Sequence, residues 1–222
     1  MKDNFIHVVF VIDSSGSMYG SISDVIGGFN KTIDEQKKVE KGECAISLFT
    51  FNDNVEERYL GKNINDIENF EYHPNGMTAL YDGVGQAIDK VGKWLSNMDE
   101  SERPSKNLVV IMTDGAENSS KEYTSKQVKD MIKHQEDVYN WSFVYMGTDL
   151  TNINDAKDLG IRMSSVSSRR DLGNSYDIIN NVTSCYRAAS SIKEATATMD
   201  WLQIECENVT AKYEVENNVK LS

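Results

Sequence analysis

An α/β fold with a doubly wound, mostly parallel sheet is predicted by three features of the sequence. Short β-branched apolar runs alternate with helical patterns from the first residues. The strand runs are nearly continuous in apolar character, as strands covered by helices on both faces are. Two of them stop abruptly at an Asp followed by small polar residues, in VIDSSGS and IMTDG.

The strands are expected at Phe5–Ile12, Ala45–Phe51, Val55–Leu60, Leu108–Met112, Ser142–Met146 and a short Ile161–Met163. Asn52-Asp53-Asn54 links the second to the third with turn-forming residues, which predicts a hairpin and one antiparallel edge strand. Val25, Phe29 and Ile33 mark the apolar stripe of a first helix. Leu80, Val84, Ala87, Ile88, Val91 and Leu95 mark a second, and Val128, Met131 and Ile132 a third. From Ser175 to about Tyr213 no Gly or Pro interrupts a helical pattern, which predicts a long C-terminal helix or two shorter ones. The organisation expected is a core over residues 1–174 and a helical segment over 175–222 that packs on the core or extends from it.

The 222 residues carry 35 Asp+Glu against 23 Lys+Arg, a formal charge of −12. That balance, with no long basic run to offset it, disfavours nucleic acid and anionic membrane surfaces as partners. The longest apolar run, Phe5 to Ile12, is too short to span a bilayer, and no small-residue cleavage site follows it. Cys44, Cys185 and Cys206 are odd in number and lack C-x-x-C spacing, which fits a reducing compartment. A cytoplasmic location is the expectation.

In an open α/β sheet ligands sit outside the carboxyl ends of the strands, so the loops there are the place to look for function. The first strand breaks into Asp13-Ser14-Ser15-Gly16-Ser17, a D-x-S-x-S pattern that turns three oxygen side chains to one side while Gly16 eases the turn. The fourth strand ends in Thr113-Asp114-Gly115, which brings a second carboxylate to the same edge if the two strands are neighbours. A third segment, His73-Pro74-Asn75-Gly76-Met77-Thr78, leads into the second helix with Thr78 at its expected N-cap. Two carboxylates, several hydroxyls and no His or Cys describe a site for a hard divalent cation that keeps some of its water. Mg²⁺ is the first choice, Mn²⁺ a substitute and Ca²⁺ a poorer match.

These motifs, DSSGS, the Thr of GMTALYD and the TDG after strand four, resemble the metal-ion-dependent adhesion site of von Willebrand factor type A domains. The resemblance runs from about Phe5 to Ile161, and the order and spacing of three separated motifs make it specific. It implies that Ser15 and Ser17 ligate the ion directly. Thr78 would do so directly or through water, and Asp13 and Asp114 mostly through water. It also implies a doubly wound sheet with one antiparallel edge strand, and a partner protein whose Asp or Glu completes the metal's coordination. With no secretion signal before the first strand, the chain is most similar to the intracellular microbial or phage branch of that family. In an acidic protein, a partner carboxylate ringed by Lys or Arg is the expected match.

Two other functions share parts of this pattern. A Mg²⁺-dependent phosphoryl-transfer hydrolase could use Asp13 as nucleophile, but the haloacid-dehalogenase pattern needs a second Asp where this chain has Ser15. Of the histidines, His7 is expected in the core, His134 on an exposed helix face, and only His73 near the site. A structural or oligomerisation protein with a vestigial metal site is the third reading; the oligomeric state is not legible. Asp53 and Asp82 are expected to be solvated, and Gly83-Val84-Gly85 is read as close helix packing rather than a nucleotide fingerprint.

Overall fold

The computed structural model describes residues 1–147, 150–161, 163–166, 172–189 and 192–217. Six strands form one sheet: β1 (Lys2–Asp13), β2 (Glu43–Phe51), β3 (Val55–Asn63), β4 (Pro104–Thr113), β5 (Ser142–Gly147) and β6 (Met163–Val166). Their order is β3-β2-β1-β4-β5-β6, parallel except for β3, which runs antiparallel to β2 at the edge. The expected hairpin is present; the Asn54 N–H is held by the Asn52 side chain at 3.0 Å.

The helices are α1 (Ile22–Lys37), α2 (Leu80–Ser96), α3 (Ser125–Tyr139), α4 (Leu150–Asp158), α5 (Leu172–Ala188) and α6 (Ile192–Asn217). Central β1 shows why its sequence lacks polar alternation. Ile6, Val8, Phe10 and Ile12 pack with α1, α5 and α6 on one face, while Val9 and Val11 pack with α2 and α3 on the other. Burying both faces of a strand stabilises the sheet at about 25 cal/mol per Å² of apolar area and favours apolar residues at nearly every position, a polar one such as His7 being kept only with hydrogen-bond partners.

Several boundaries differ from the sequence reading. The last strand is displaced from Ile161–Met163 to Met163–Val166; residue 162 of the expected strand lies outside the described residues. Helix α4, with four Asn or Asp in nine residues, has too weak an apolar stripe to be recognised. The C-terminal helical stretch takes the second of its two expected forms, two helices; positions 190 and 191 between them lie outside the described residues. Leu202 and Cys206 of α6 are buried in the same cluster as Ile178, Ile179 and Val182 of α5. From α5, the Arg187 guanidinium donates to the carbonyls of Gln36, Val39 and Gly42, fixing the chain between α1 and β2. Among the described residues no helix is long and apolar enough to cross a membrane.

Candidate metal centre

β1 and β4 are neighbours, Ile12 pairing with Met112 in parallel register, so Asp13 and Asp114 arrive side by side at one sheet edge. The turn after β1 is tight because Asp13 Oδ1 accepts the Ser15 backbone N–H at 2.6 Å. Ser15 Oγ then lies 3.0 Å from Ser17 Oγ, and Ser17 Oγ donates to Asp114 Oδ1. On the other carboxylate oxygen, Thr113 Oγ1 donates to Asp13 Oδ2 at 2.6 Å. Below it, the Tyr72 hydroxyl donates to the Asp13 carbonyl oxygen.

Thr78 joins this group without being an N-cap: α2 is preceded by Ala79, and no side chain caps it. The Thr78 backbone is instead clamped by Asn118, whose Oδ1 accepts the Thr78 N–H at 2.9 Å and whose N–H donates to the Thr78 carbonyl at 3.0 Å. Gly115 reveals the resulting cradle. A methyl group at its Cα would lie 2.9 Å from Thr78 Oγ1, 3.3 Å from Ser17 Oγ and 3.6 Å from Asp13 Oδ2. All five residues singled out from the sequence, Asp13, Ser15, Ser17, Thr78 and Asp114, are therefore brought together around one small concavity. Four are buried and Ser17 is exposed, so the concavity opens at Ser17.

The loops of the site are stitched to one another by backbone bonds. Gly16 N–H donates to the Gly76 carbonyl at 3.0 Å, Asn75 N–H to the Ser14 carbonyl at 2.8 Å and Ala79 N–H to the Asn52 carbonyl at 2.9 Å. Two acidic residues that were expected to be solvated take part. Asp53 Oδ2 accepts the Met77 N–H at 3.1 Å. Asp82 is buried and accepts three N–H groups, of Lys121, Glu122 and Tyr123, at 2.8–2.9 Å. Together with Glu117, which accepts the Tyr81, Ser119 and Ser120 N–H groups, Asp82 folds the β4–α3 loop over the start of α2. The sequence reading missed this because Asp82 falls in the first turn of an amphipathic helix, where acidic residues are ordinarily exposed.

Burial pushes the Asp13 carboxyl up to about 6, and the Asp114 charge adds to it, against the opposing bonds from Thr113 and Ser15. Two acids this close, one of them desolvated, favour a cation between them. The donor set is all oxygen, with two carboxylates and three hydroxyls, and among the described residues there is no cluster of three or more His, Cys, Asp or Glu. That chemistry, and a cradle that only glycine leaves open, fit a hard divalent ion. His7 is core, as expected, bonded to Asn107 and Ser47. His73 and His134 are exposed. Gly83 and Gly85 are packing positions: a methyl on either would lie under 3 Å from Phe51 or Tyr123.

A family model for the von Willebrand factor type A domain matches residues 7–160. The chain belongs to that family. Three solved structures show the same VWA fold at low identity. Proximal thread matrix protein 1 from the mussel byssus is 16% identical with a TM-score of 0.57, covering 82% of this chain and 47% of its own. The pilus adhesin SpaC of Lactobacillus rhamnosus GG is 12% identical with a TM-score of 0.66, covering 84% and 30%. The VWA region of the type V pili tip protein Mfa5 of Porphyromonas gingivalis is 11% identical with a TM-score of 0.61, covering 84% and 97%. This VWA chain thus spans about half the mussel protein's length and less than a third of SpaC's.

Proposed function

We propose that this VWA domain is a metal-dependent protein-binding module. Ser15, Ser17 and Thr78 would hold a divalent ion, Mg²⁺ first and Mn²⁺ second, with Asp13 and Asp114 balancing its charge. When bound, such an ion supplies a Lewis-acid position able to accept a carboxylate from a partner's Asp or Glu. The observation that carries this reading is the convergence of oxygen side chains from three separated segments around the Gly115 concavity. The pilus adhesin and the pili tip protein that share the fold support an attachment role by analogy; fold alone does not fix function.

The protein's own residues have distinct tasks. Thr113 and the Ser15 N–H hold the Asp13 carboxylate, the Asn118 clamp sets Thr78, and exposed Ser17 leaves the opening toward solvent. The test is a thermal melt of EDTA-stripped protein titrated with Mg²⁺, Mn²⁺ and Ca²⁺. At metal concentrations about 100-fold above Kd the expected stabilisation is about 2.7 kcal/mol, roughly 5–10 °C for a chain of this size. Ser15→Ala should remove that rise. Equal melting with and without metal would defeat the proposal.

A further inference from the structure

The proposed metal site leaves open what surrounds the partner's carboxylate, and the rim of the concavity addresses it. The side chains there belong to the turn after β1 and to the segment before α2. Gly16–Ser21 is a 3-10 turn, in which residues three apart eclipse one another, so Tyr19 stands above Gly16. The Gly16 N–H donates to the Gly76 carbonyl at 3.0 Å, so the turn that carries Tyr19 lies directly against the 73–77 segment. Met77 follows Gly76 there. Tyr19 is 73% exposed and Met77 52%, a phenol ring and a thioether chain left in water on either side of the seam. Tyr19 is two residues from Ser17, and Met77 adjoins Thr78.

The charges of these loops are committed elsewhere. Segments 14–21 and 72–79 contain no Lys, Arg, Asp or Glu. Asp53 and Glu117 spend their carboxylates on backbone N–H groups. A ring of Lys or Arg around a partner's acid would therefore meet no acidic side chain in those two segments. The net charge of −12 can attract a basic partner at long range, while the large apolar side chains these two segments expose are Tyr19 and Met77.

We infer that Tyr19 and Met77 are specificity-determining residues, selecting a protein segment in which the metal-binding Asp or Glu is flanked by bulky apolar side chains. This rests on the metal-dependent reading above and names the kind of partner that site takes. Burying a flanking leucine against the two side chains should improve binding about tenfold over glycine.

The test uses three capped tripeptides as probes, acetyl-Leu-Asp-Leu-amide, acetyl-Gly-Asp-Gly-amide and acetyl-Lys-Asp-Lys-amide. Each is titrated into the full chain in Mg²⁺ and in EDTA and followed by amide chemical shifts. The expected result is Mg²⁺-dependent binding with the leucine peptide tightest by roughly five- to tenfold. In Tyr19→Ser/Met77→Ser that advantage should fall below about twofold, while the Mg²⁺-induced rise in melting temperature certifies the variant's fold and metal site. Equal binding of the leucine and glycine peptides, preference for the lysine peptide, or an advantage that survives the double substitution would each overturn the inference and leave the metal reading standing. Binding of all three that is indifferent to EDTA, or no binding at all, would overturn this inference, and the metal reading would fall with it only if the Mg²⁺-induced rise in melting temperature were also absent.

Discussion

Thr113 Oγ1 lies 2.6 Å from Asp13 Oδ2, so the last residue of β4 steadies the carboxylate at the end of neighbouring β1. The same hydroxyl accepts the Gly115 N–H at 3.1 Å and so shapes the turn that leaves the concavity open. Thr113→Val keeps the volume and removes both bonds. It should cost about 1–3 kcal/mol in EDTA, because a buried carboxylate loses a donor, and weaken Mg²⁺ binding roughly 10- to 100-fold. Urea unfolding and metal-titrated melts read the two effects separately.

Gly115→Ala asks whether the concavity itself is required. Its methyl would crowd Thr78 Oγ1 and Ser17 Oγ, at 2.9 and 3.3 Å, on the space an ion would occupy. The expected outcome is loss of the Mg²⁺-dependent rise in melting temperature with a change of about 1 kcal/mol or less in EDTA. A retained rise would mean that the ion sits elsewhere.

Asp82 is predicted to matter for folding rather than for the metal. Asp82→Asn would turn an amide NH₂ toward at least one of three backbone N–H donors, and should destabilise the protein by about 1–3 kcal/mol. Hydrogen exchange at residues 117–123 should rise, marking a loosened loop over α2, while the affinity for Mg²⁺ falls far less than in Ser15→Ala.

His7 gives the stability a pH dependence whose sign follows from its burial. Desolvation lowers its folded pKa from 6.5 to about 4, so the folded protein keeps it neutral while the unfolded chain takes up a proton more readily. Its contribution is intact above pH 6.5 and is lost progressively as pH falls toward 4. Between pH 7.5 and 5 the loss should be about 2 kcal/mol. The difference between wild type and His7→Asn, measured by urea unfolding at each pH, isolates this group from other titrations; a difference flat across that range would refute it.

The strands were legible because β1, β2, β4 and β5 are covered on both faces, which writes an unbroken apolar run into each. The three motifs were legible because they sit where such runs stop. What escaped was set by contacts distant in sequence. Thr78 reads as an N-cap from its neighbours, yet its backbone is held by Asn118, 40 positions later. Asp82 reads as solvent-facing until the loop at 121–123 is seen folded onto it. Thr113 belongs to the TDG motif, but its bond to Asp13 spans 100 residues. α4 and the displaced β6 are short segments whose composition carries little periodicity.

The crossover from β1 to its partner β4 passes through α1, the β2–β3 hairpin and α2 before Asp114 can meet Asp13. No local segment, however well formed, contains the whole oxygen set. A chain emerging from the ribosome acquires the concavity only once β4 has docked beside β1, and the two residues that then bond, Asp13 and Thr113, are 100 positions apart. Under the proposed function, any copy in which β4 has not yet paired with β1 would lack a complete grip on an ion or a partner, so binding would report on the pairing of two strands far apart in the chain.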